Sequence, residues 1–303
     1  MLICGNQEDP HTRAVFDEVV RRGFDPFLVD AESLARTSFA SGASDFSLDG
    51  ISVFQKGERG WIRRLAPDDW NAKGLPGSLG QVVSQAWTSA MVSIVERSGI
   101  EWLTDLTTLF RAEDKLLQLR LCNSIGINSP KTVLTNDPDA IPESFGQSLV
   151  IKPIGPSYFL EDGGEAKIVF ATSMDRSDSR MTLLQGAPFL VQPRIDAAKH
   201  LRTVTVRDRS WVCELACEEV GLDWRATDAA HDSFIPSFHP DVERDAVRLA
   251  EAIGVGYSSQ DWIVDENGRS HFLDLNPAGQ WLFLPSEASS QISQAIADWL
   301  AYG

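Results

Sequence analysis

Near the end of the chain, FLDLNPAGQW (residues 272–281) is an apolar strand that carries Asp274 and Asn276 and then breaks at Pro277-Ala278-Gly279. Side chains two apart share one face of a strand, so an acid and an amide are presented together where the regular backbone stops. Upstream, SSQDWIV (258–264) and SHFLDLN (270–276) flank DENGR. Its Asn267-Gly268 is a strong signal for a two-residue hairpin turn. With those residues at the turn centre, Asp261 falls opposite Asp274. The Cβ atoms of such a pair lie about 4.5–5.5 Å apart, and facing like charges destabilise a sheet. Two carboxylates and an amide oxygen on one spot invite a hard cation. Magnesium suits the set, because it takes few protein oxygens and completes its shell with water and phosphate. The bland alternative, an exposed strand end with incidental acids, fits poorly with Phe272, Leu273 and Leu275 in the same strand.

A metal that holds nucleotide phosphates leaves charge to neutralise. Lys115 stands near the start of a helix, and Lys152 ends the apolar strand SLVIKP (148–153). A lysine at the end of a buried strand meets a phosphate as a compact charge. Taken singly, each lysine reads as a solvated surface charge; a Gly-containing loop and an acidic hairpin beside them reverse that. PFLVQPRI (188–195) is an apolar strand running into a Gln-Pro kink, whose free backbone groups suit the edge of an adenine. Arg202 in HLRT and Arg225 in LDWR are placed at the reacting carboxylate and the γ-phosphate, since arginine grips oxyanions bidentately.

These side chains need elements to carry them. LIC (2–4), an amphipathic stretch with Val15, Val19 and Val20, and PFLVD (26–30) open the chain as β-α-β. ISVFQKGERGWIRR (51–64) reads as a hairpin turned at KGERG, and residues 78–97 as a helix followed by the short strand EWLT. RAEDKLLQLRLCNSIGI (111–127) is patterned as a helix with Leu116, Leu119, Leu121 and Ile125 on its apolar side and Gly126 as a stop. KTVLT (131–135), SLVIKP, AKIVF (166–170), PFLVQ (188–192), HLRTVTV (200–206) and SWVCELA (210–216) are strands. IGPSYFLEDGGE (154–165) is a mobile loop, residues 240–253 form a helix, and SEASSQISQAIADWLA closes the chain as another. Modules are expected at 1–110, 111–187 and 188–303.

Composition narrows the partners. Acidic residues number 43 against 27 basic ones, a net charge of −16, which repels nucleic-acid backbones and anionic lipid. The N-terminus has no basic and apolar signal pattern, and no apolar run approaches a bilayer span of about 20 residues. A cytoplasmic protein without nucleic-acid or membrane partners is expected. Cys213 and Cys217 fall four apart on one strand face; small buried hydrophobes are the plainer reading, a metal or disulfide the sharper one.

The order EDKLLQLRL, IKP, FLVQPRI, HLR, DWR, QDWIV and FLDLNPAGQW resembles the ATP-grasp superfamily. WIRR (61–64), DWR (223–225) and NPAGQW (276–281) narrow the likeness to the peptide-modifying ligases that make microviridin-type (graspetide) macrocycles, relatives of the ribosomal-protein glutamate ligases. The resemblance implies an α/β (α+β) ATP-grasp fold with an N-terminal Rossmann-like domain, a central lid subdomain and a C-terminal subdomain. It implies ATP and Mg2+ as cofactors, with Lys115 and Lys152 on phosphates and Lys152 also near adenine. Gln192 and the backbone of Arg194 and Ile195 would form the adenine hinge; Asp261, Asp274 and Asn276 would bind magnesium. Arg202 and Arg225 would stabilise the phosphorylated intermediate, and Arg63, Arg64 and Gln280 would touch substrate. The chain departs from the pattern at Pro193, where many relatives have an acid, and at Asp274, often Glu. Its 303 residues are on the compact side for a macrocyclase.

The activity implied is that of a carboxylate ligase, ADP-forming, working through an acyl phosphate to an amide or ester. Its partner is then a precursor peptide that it crosslinks internally, or a small carboxylate and amine; a homodimer is implied by the resemblance alone. The rival from another class is a kinase, or a nucleotide-binding protein without ligase activity, on the same fold.

Overall fold

The protein is described from a computed structural model covering residues 1–303, apart from 43–45, 49–50, 53–57, 68–69, 71–76, 98, 156–157, 161–165 and 217–220. The chain opens with strand β1 (Leu2–Cys4), helix α1 (Pro10–Arg21), β2 (Phe27–Val29) and α2 (Ala31–Leu34). Asp9 caps α1 by accepting the His11 and Thr12 N–H groups, and Pro10 occupies the first turn, where its missing N–H costs nothing. A small antiparallel sheet follows, β3 (Phe39–Ser41), β4 (Phe46–Leu48) and β5 (Ile51–Ser52). The chain then returns as β6 (Arg59–Ile62), α3 (Leu79–Arg97) and β7 (Glu101–Trp102) to complete a parallel sheet in the order β2-β1-β6-β7.

The hairpin expected at 51–64 does not form. Ile51–Ser52 pairs with β4, whereas Arg59–Ile62 pairs in parallel with β1 and β7, and the expected turn residues 56 and 57 lie outside the described residues. The reason is burial on both faces: Trp61 and Ile62 are adjacent and both buried, as in a central parallel strand rather than a half-exposed hairpin.

Helix α4 (Leu106–Ala112) ends just before α5 (Lys115–Ser124), so the single helix expected from residue 111 is two. The break is made by Asp114, whose carboxylate caps α5 through the Leu116 and Leu117 N–H groups. Leu117, Gln118 and Cys122 face inward while Leu116 is exposed, a correction to the expected apolar side. Gly126 does stop the helix, at φ +76°.

An antiparallel sheet in the order β12-β9-β13-β8 forms from β8 (Val133–Thr135), β9 (Ser148–Pro153), β12 (Thr172–Asp175) and β13 (Phe189–Pro193). Inside the expected mobile loop, β10 (Tyr158–Leu160) instead pairs with β11 (Ala166–Ile168). Strand β13, just beyond the boundary expected at 187/188, pairs with β9 and β8.

The last sheet, β16-β15-β14-β17-β18, is antiparallel: β14 (Ala197–Val206), β15 (Arg209–Leu215), β16 (Phe234–Pro236), β17 (Tyr257–Asp265) and β18 (Ser270–Asn276). Helix α6 (Pro240–Ile253) covers one face through Val242, Ala246 and Leu249, which meet Trp262, Phe272 and Leu275. The other face packs, through Val204 and Tyr257, on Trp281 and helix α7 (Ser286–Tyr302), and from there on Ile3, Val15 and Trp61. The first and last sheets therefore share one core. Cys4, Cys122 and Cys213 are free thiols; burial lifts the Cys213 pKa to about 11, and Cys217 lies outside the described residues. Among the described residues no helix is long and apolar enough to cross a membrane.

Candidate active site

The hairpin β17–β18 sets Asp261 directly opposite Asp274, as expected, but by a different route. The turn is a three-residue loop, Glu266 to Gly268, with Gly268 at φ +77° and Asp265 accepting the Asn267 and Arg269 N–H groups. That slips the register by one, so that Trp262 faces Phe272. A bulge between Asp261 and Trp262 then leaves Leu273 without a partner and restores the register at Asp274. The bulge also explains the burial. It lets Phe272 and Leu275, three apart, share the face under α6, and turns Asp274 and Asn276 to the other.

Both carboxylates are held by cations. Lys115 Nζ donates to Asp274 Oδ1 at 2.5 Å, and Arg202 Nη1 to Asp261 Oδ1 at 2.9 Å. A cation in the first turn of a helix runs against the macrodipole, so Lys115 is placed for the anion it meets. The buried Gln118 fixes that meeting. Its amide donates to the Ala112 and Leu275 carbonyls and accepts the Leu275 N–H, satisfying the edge strand between Asp274 and Asn276. Asn276 Oδ1 accepts the Ala278 N–H, which orients the side chain toward the cleft.

Between the sheets of β9 and β14 lies a cavity of about 710 Å3, lined by Asp261, Asp274, Asn276 and Lys115 together with Lys152 and Arg225. Gln192, Arg194 and Ile195 line its β13 side. This volume is in the range of small-molecule sites. Burial lowers the Lys152 pKa, with Lys115 and Arg225 adding to the effect and Asp274 and Asp261 opposing it. Gln192 donates to Thr132 Oγ1 at 2.9 Å, and the Arg194 side chain turns to Asp196 and Ser173. The Arg194 side chain is thus engaged by its neighbours, and a hinge at this position would use the backbone.

Arg225 is gripped side-on: Nε and Nη2 donate to the two oxygens of Asp223 at 2.8 and 2.7 Å. That bond, ahead of the opposing burial, raises its pKa, with Asp261 and Asp274 adding to it. Asp223 Oδ2 also accepts the Ala171 N–H, tying the β11–β12 segment to the arginine. Arg202 does not line the cavity. Besides Asp261 it holds the Gln280 carbonyl at 3.1 Å, and Trp224 and Phe283 cover its guanidinium. Arg63, Arg64 and Gln280 also lie outside the cavity wall. They belong to a junction beneath the loop after Asn276, where Arg63 Nη1 donates to the Ala278 carbonyl and the Tyr257 hydroxyl to that of Gly279.

Sequence reasoning passed over Glu113, His200 and Asp223, all of which line the cavity. All three stand inside the motifs EDKLLQLRL, HLR and DWR, and their nearness to Lys115, Arg202 and Arg225 in the sequence is the available signal. Burial raises the Glu113 pKa, helped by Asp274, and lowers that of His200 against the pull of Asp261 and Asp223. No group of three or more His, Cys, Asp or Glu that could hold a metal exists among the described residues. The oxygen set offered is Asp261, Asp274 and Asn276. Among the described residues each carboxylate's Oδ2 takes no hydrogen bond, and a set this lean fits magnesium and not zinc.

No family model matches the sequence, and no curated protein matches it. Solved structures do match. A RiPP-associated ATP-grasp ligase of Chryseobacterium gregarium, solved with ADP and a leader and core peptide, superposes at TM-score 0.84 and 20% identity over 99% of this chain and 96% of that one. The macrocyclase MdnC of Microcystis aeruginosa, bound with precursor peptide MdnA, gives TM-score 0.81 at 21% identity over 100% and 99%. A RimK domain ATP-grasp protein of Sphaerobacter thermophilus gives 0.62 at 14% identity over 98% of both chains. The chain has the ATP-grasp fold. It is also as long as these ligases, so the compactness inferred from its length falls away.

Proposed function

We propose that the protein is an ADP-forming ATP-grasp ligase that activates side-chain carboxylates of a precursor peptide and joins them to hydroxyls or amines of the same peptide. The observation that carries this reading is the facing pair Asp261–Asp274 in the wall of a nucleotide-sized cleft that Lys115 and Lys152 also line. Lys115 and Lys152 neutralise ATP phosphates, and the backbone of Arg194 and Ile195, beside Gln192, takes the adenine edge. Asp261, Asp274 and Asn276 would hold magnesium, which would supply positive charge against the nucleotide phosphates. Lys115 then exchanges Asp274 for phosphate. A substrate carboxylate oxygen attacks the γ-phosphorus, the bond to the β-phosphate oxygen breaks, and ADP leaves. The acceptor hydroxyl or amine next attacks the acyl carbon, expelling phosphate and giving up its proton. Arg225, oriented by Asp223, stabilises the transferring phosphoryl charge. Arg202 acts behind it, setting Asp261 and the loop carbonyl in place. Water exclusion protects the acyl phosphate, and the β10–β11 ladder is the element proposed to cover it. The homodimer and the cytoplasmic setting are proposals of the same kind, resting on the resemblance and composition.

The test is Mg-ATP-dependent ADP release with the source cell's extract split into peptide and small-metabolite fractions, with products read by mass. A peptide that loses the mass of water one or more times supports the reading. Stimulation by the metabolite fraction alone, with two compounds fused, keeps the ligase and removes the peptide. Phosphorylated product without a new bond marks a kinase.

A further inference from the structure

Apart from Thr203 Oγ1, the buried side-chain atoms without a partner among the described residues all lie at one junction. They are His11 Nδ1, Thr12 Oγ1, Arg63 Nε and Nη2, and Arg202 Nε. Arg63 directly follows β6 and is 2% exposed. Its Nη1 is committed to the Ala278 carbonyl, two residues beyond Asn276. That leaves the Nε–Nη2 edge, the side-on fork with which an arginine takes a carboxylate. Arg225 uses the same two atoms to hold Asp223. Asp9 does not fill the role for Arg63. Its Oδ1 is occupied capping α1, and its Oδ2 stands 3.5 Å from Arg63 Nε and 3.7 Å from Arg64 Nε, between two cations. Burial and the nearby Arg63 hold His11 far below its usual pKa, at about 3, so it adds no charge at neutral pH. Asp9 Oδ2 is thus shared between two guanidiniums at long range, and the Nε–Nη2 edge of Arg63 makes no hydrogen bond among the described residues. Space is kept tight there by Gly5, where a Cβ would stand 2.5 Å from Thr12 Oγ1.

We propose that the Nε–Nη2 edge of Arg63 is the receptor for a carboxylate of the substrate, presented from the N-terminal sheet to the loop that follows Asn276. The proposal rests on the ligase reading for the identity of the substrate. Arg202 has both terminal nitrogens committed, to Asp261 and to the Gln280 carbonyl.

The experiment follows the Arg63 Nε–H resonance of the full chain labelled with 15N-arginine, in Mg-ADP, assigned by its loss in Arg63→Lys. Three probes are titrated: N-acetyl-glutamate α-amide, N-acetyl-alanine and N-acetyl-glutamine α-amide. A saturable shift with either carboxylate and none with the glutamine amide is the expected result; the tighter of the two carboxylates tells a side-chain acid from a chain end. No shift beyond that of the glutamine amide overturns the proposal. With a peptide that drives ADP release, Arg63→Lys is expected to raise the peptide KM about tenfold or more, because a point charge replaces the fork. Mg-ADP affinity should stay within about twofold, whereas a merely structural role through Ala278 would lower it too. An unchanged peptide KM overturns the proposal. If no peptide drives turnover, the ligase reading falls and the resonance still decides the pocket.

Discussion

The cleft and the junction beneath the Asn276–Gln280 loop both gather charge, but they handle it in opposite ways. In the cleft, Asp274 has Lys115, Asp261 has Arg202, and Arg225 has Asp223, each at hydrogen-bond distance. At the junction, Arg63 keeps a whole edge without a partner, and the nearest carboxylate serves first as a helix cap. Paired charges hold a shape until a ligand exchanges with one partner, the exchange proposed for Lys115 when phosphate arrives. Buried donors without a hydrogen bond are costly, and Asp9, at 3.5 Å from Arg63 Nε, offsets that only at long range. The loop joins the two regions, because its three successive carbonyls are held by Arg63, Tyr257 and Arg202.

The comparison breaks most visibly if the cleft is not the reacting centre. Asp274→Ala is expected to lower peptide-dependent ADP release by about a thousandfold or more, since it removes half of the facing pair that fixes transition-state charge. Far-UV circular dichroism should be unchanged, because Asp274 points into the cleft and not into the core of Phe272 and Leu275. Turnover near that of the wild type would end the magnesium assignment and with it the contrast between the regions.

A smaller effect is expected from Asp223→Asn, which keeps the shape but removes the charge that grips Arg225. Loss of a supporting partner of this kind costs about 10–100-fold, and the loss should fall on kcat rather than on the KM for ATP. A change confined to the KM for ATP would mean that Arg225 binds nucleotide without stabilising the transfer. The Ala171 N–H loses its charged acceptor in the same variant, so proteolysis between β11 and β12 should quicken.

Much of this cleft was legible in the sequence because strand alternation and a turn signal place side chains before any tertiary contact is known. The pairing of Asp261 with Asp274 came out right through two compensating departures, a longer turn and a bulge at Leu273. Short motifs do not encode bulges, which arise from packing Phe272 and Leu275 together under α6. The junction was far less legible. WIRR reads as half a hairpin until β6 is seen between β1 and β7, and only that placement buries Arg63. Gln118 was invisible for a similar reason. It looks like a polar residue on a helix face, and its value lies in an edge strand 157 residues away.

The smallest effect tests the junction alone, through His11. Buried between Arg63 and Trp281, its imidazole has a folded pKa of about 3, set first by burial and then by Arg63. The unfolded chain restores a value of about 6.5. Between those values the unfolded state binds a proton that the folded state refuses, so stability rises with pH across the window. It is complete above about pH 6.5 and drains away as pH falls toward 3. From pH 7 to pH 5 the loss assignable to His11 is about 2 kcal/mol. Urea unfolding at the two pH values, at constant ionic strength, should show the wild type losing about that much more than His11→Asn, in which other titrations cancel. Saturating N-acetyl-glutamate α-amide should shrink the difference, because a carboxylate on Arg63 offsets the charge that keeps the imidazole neutral. A wild type and a variant with equal pH slopes would mean that the junction is open to water, and its unpartnered edge would then be solvated rather than waiting for a ligand.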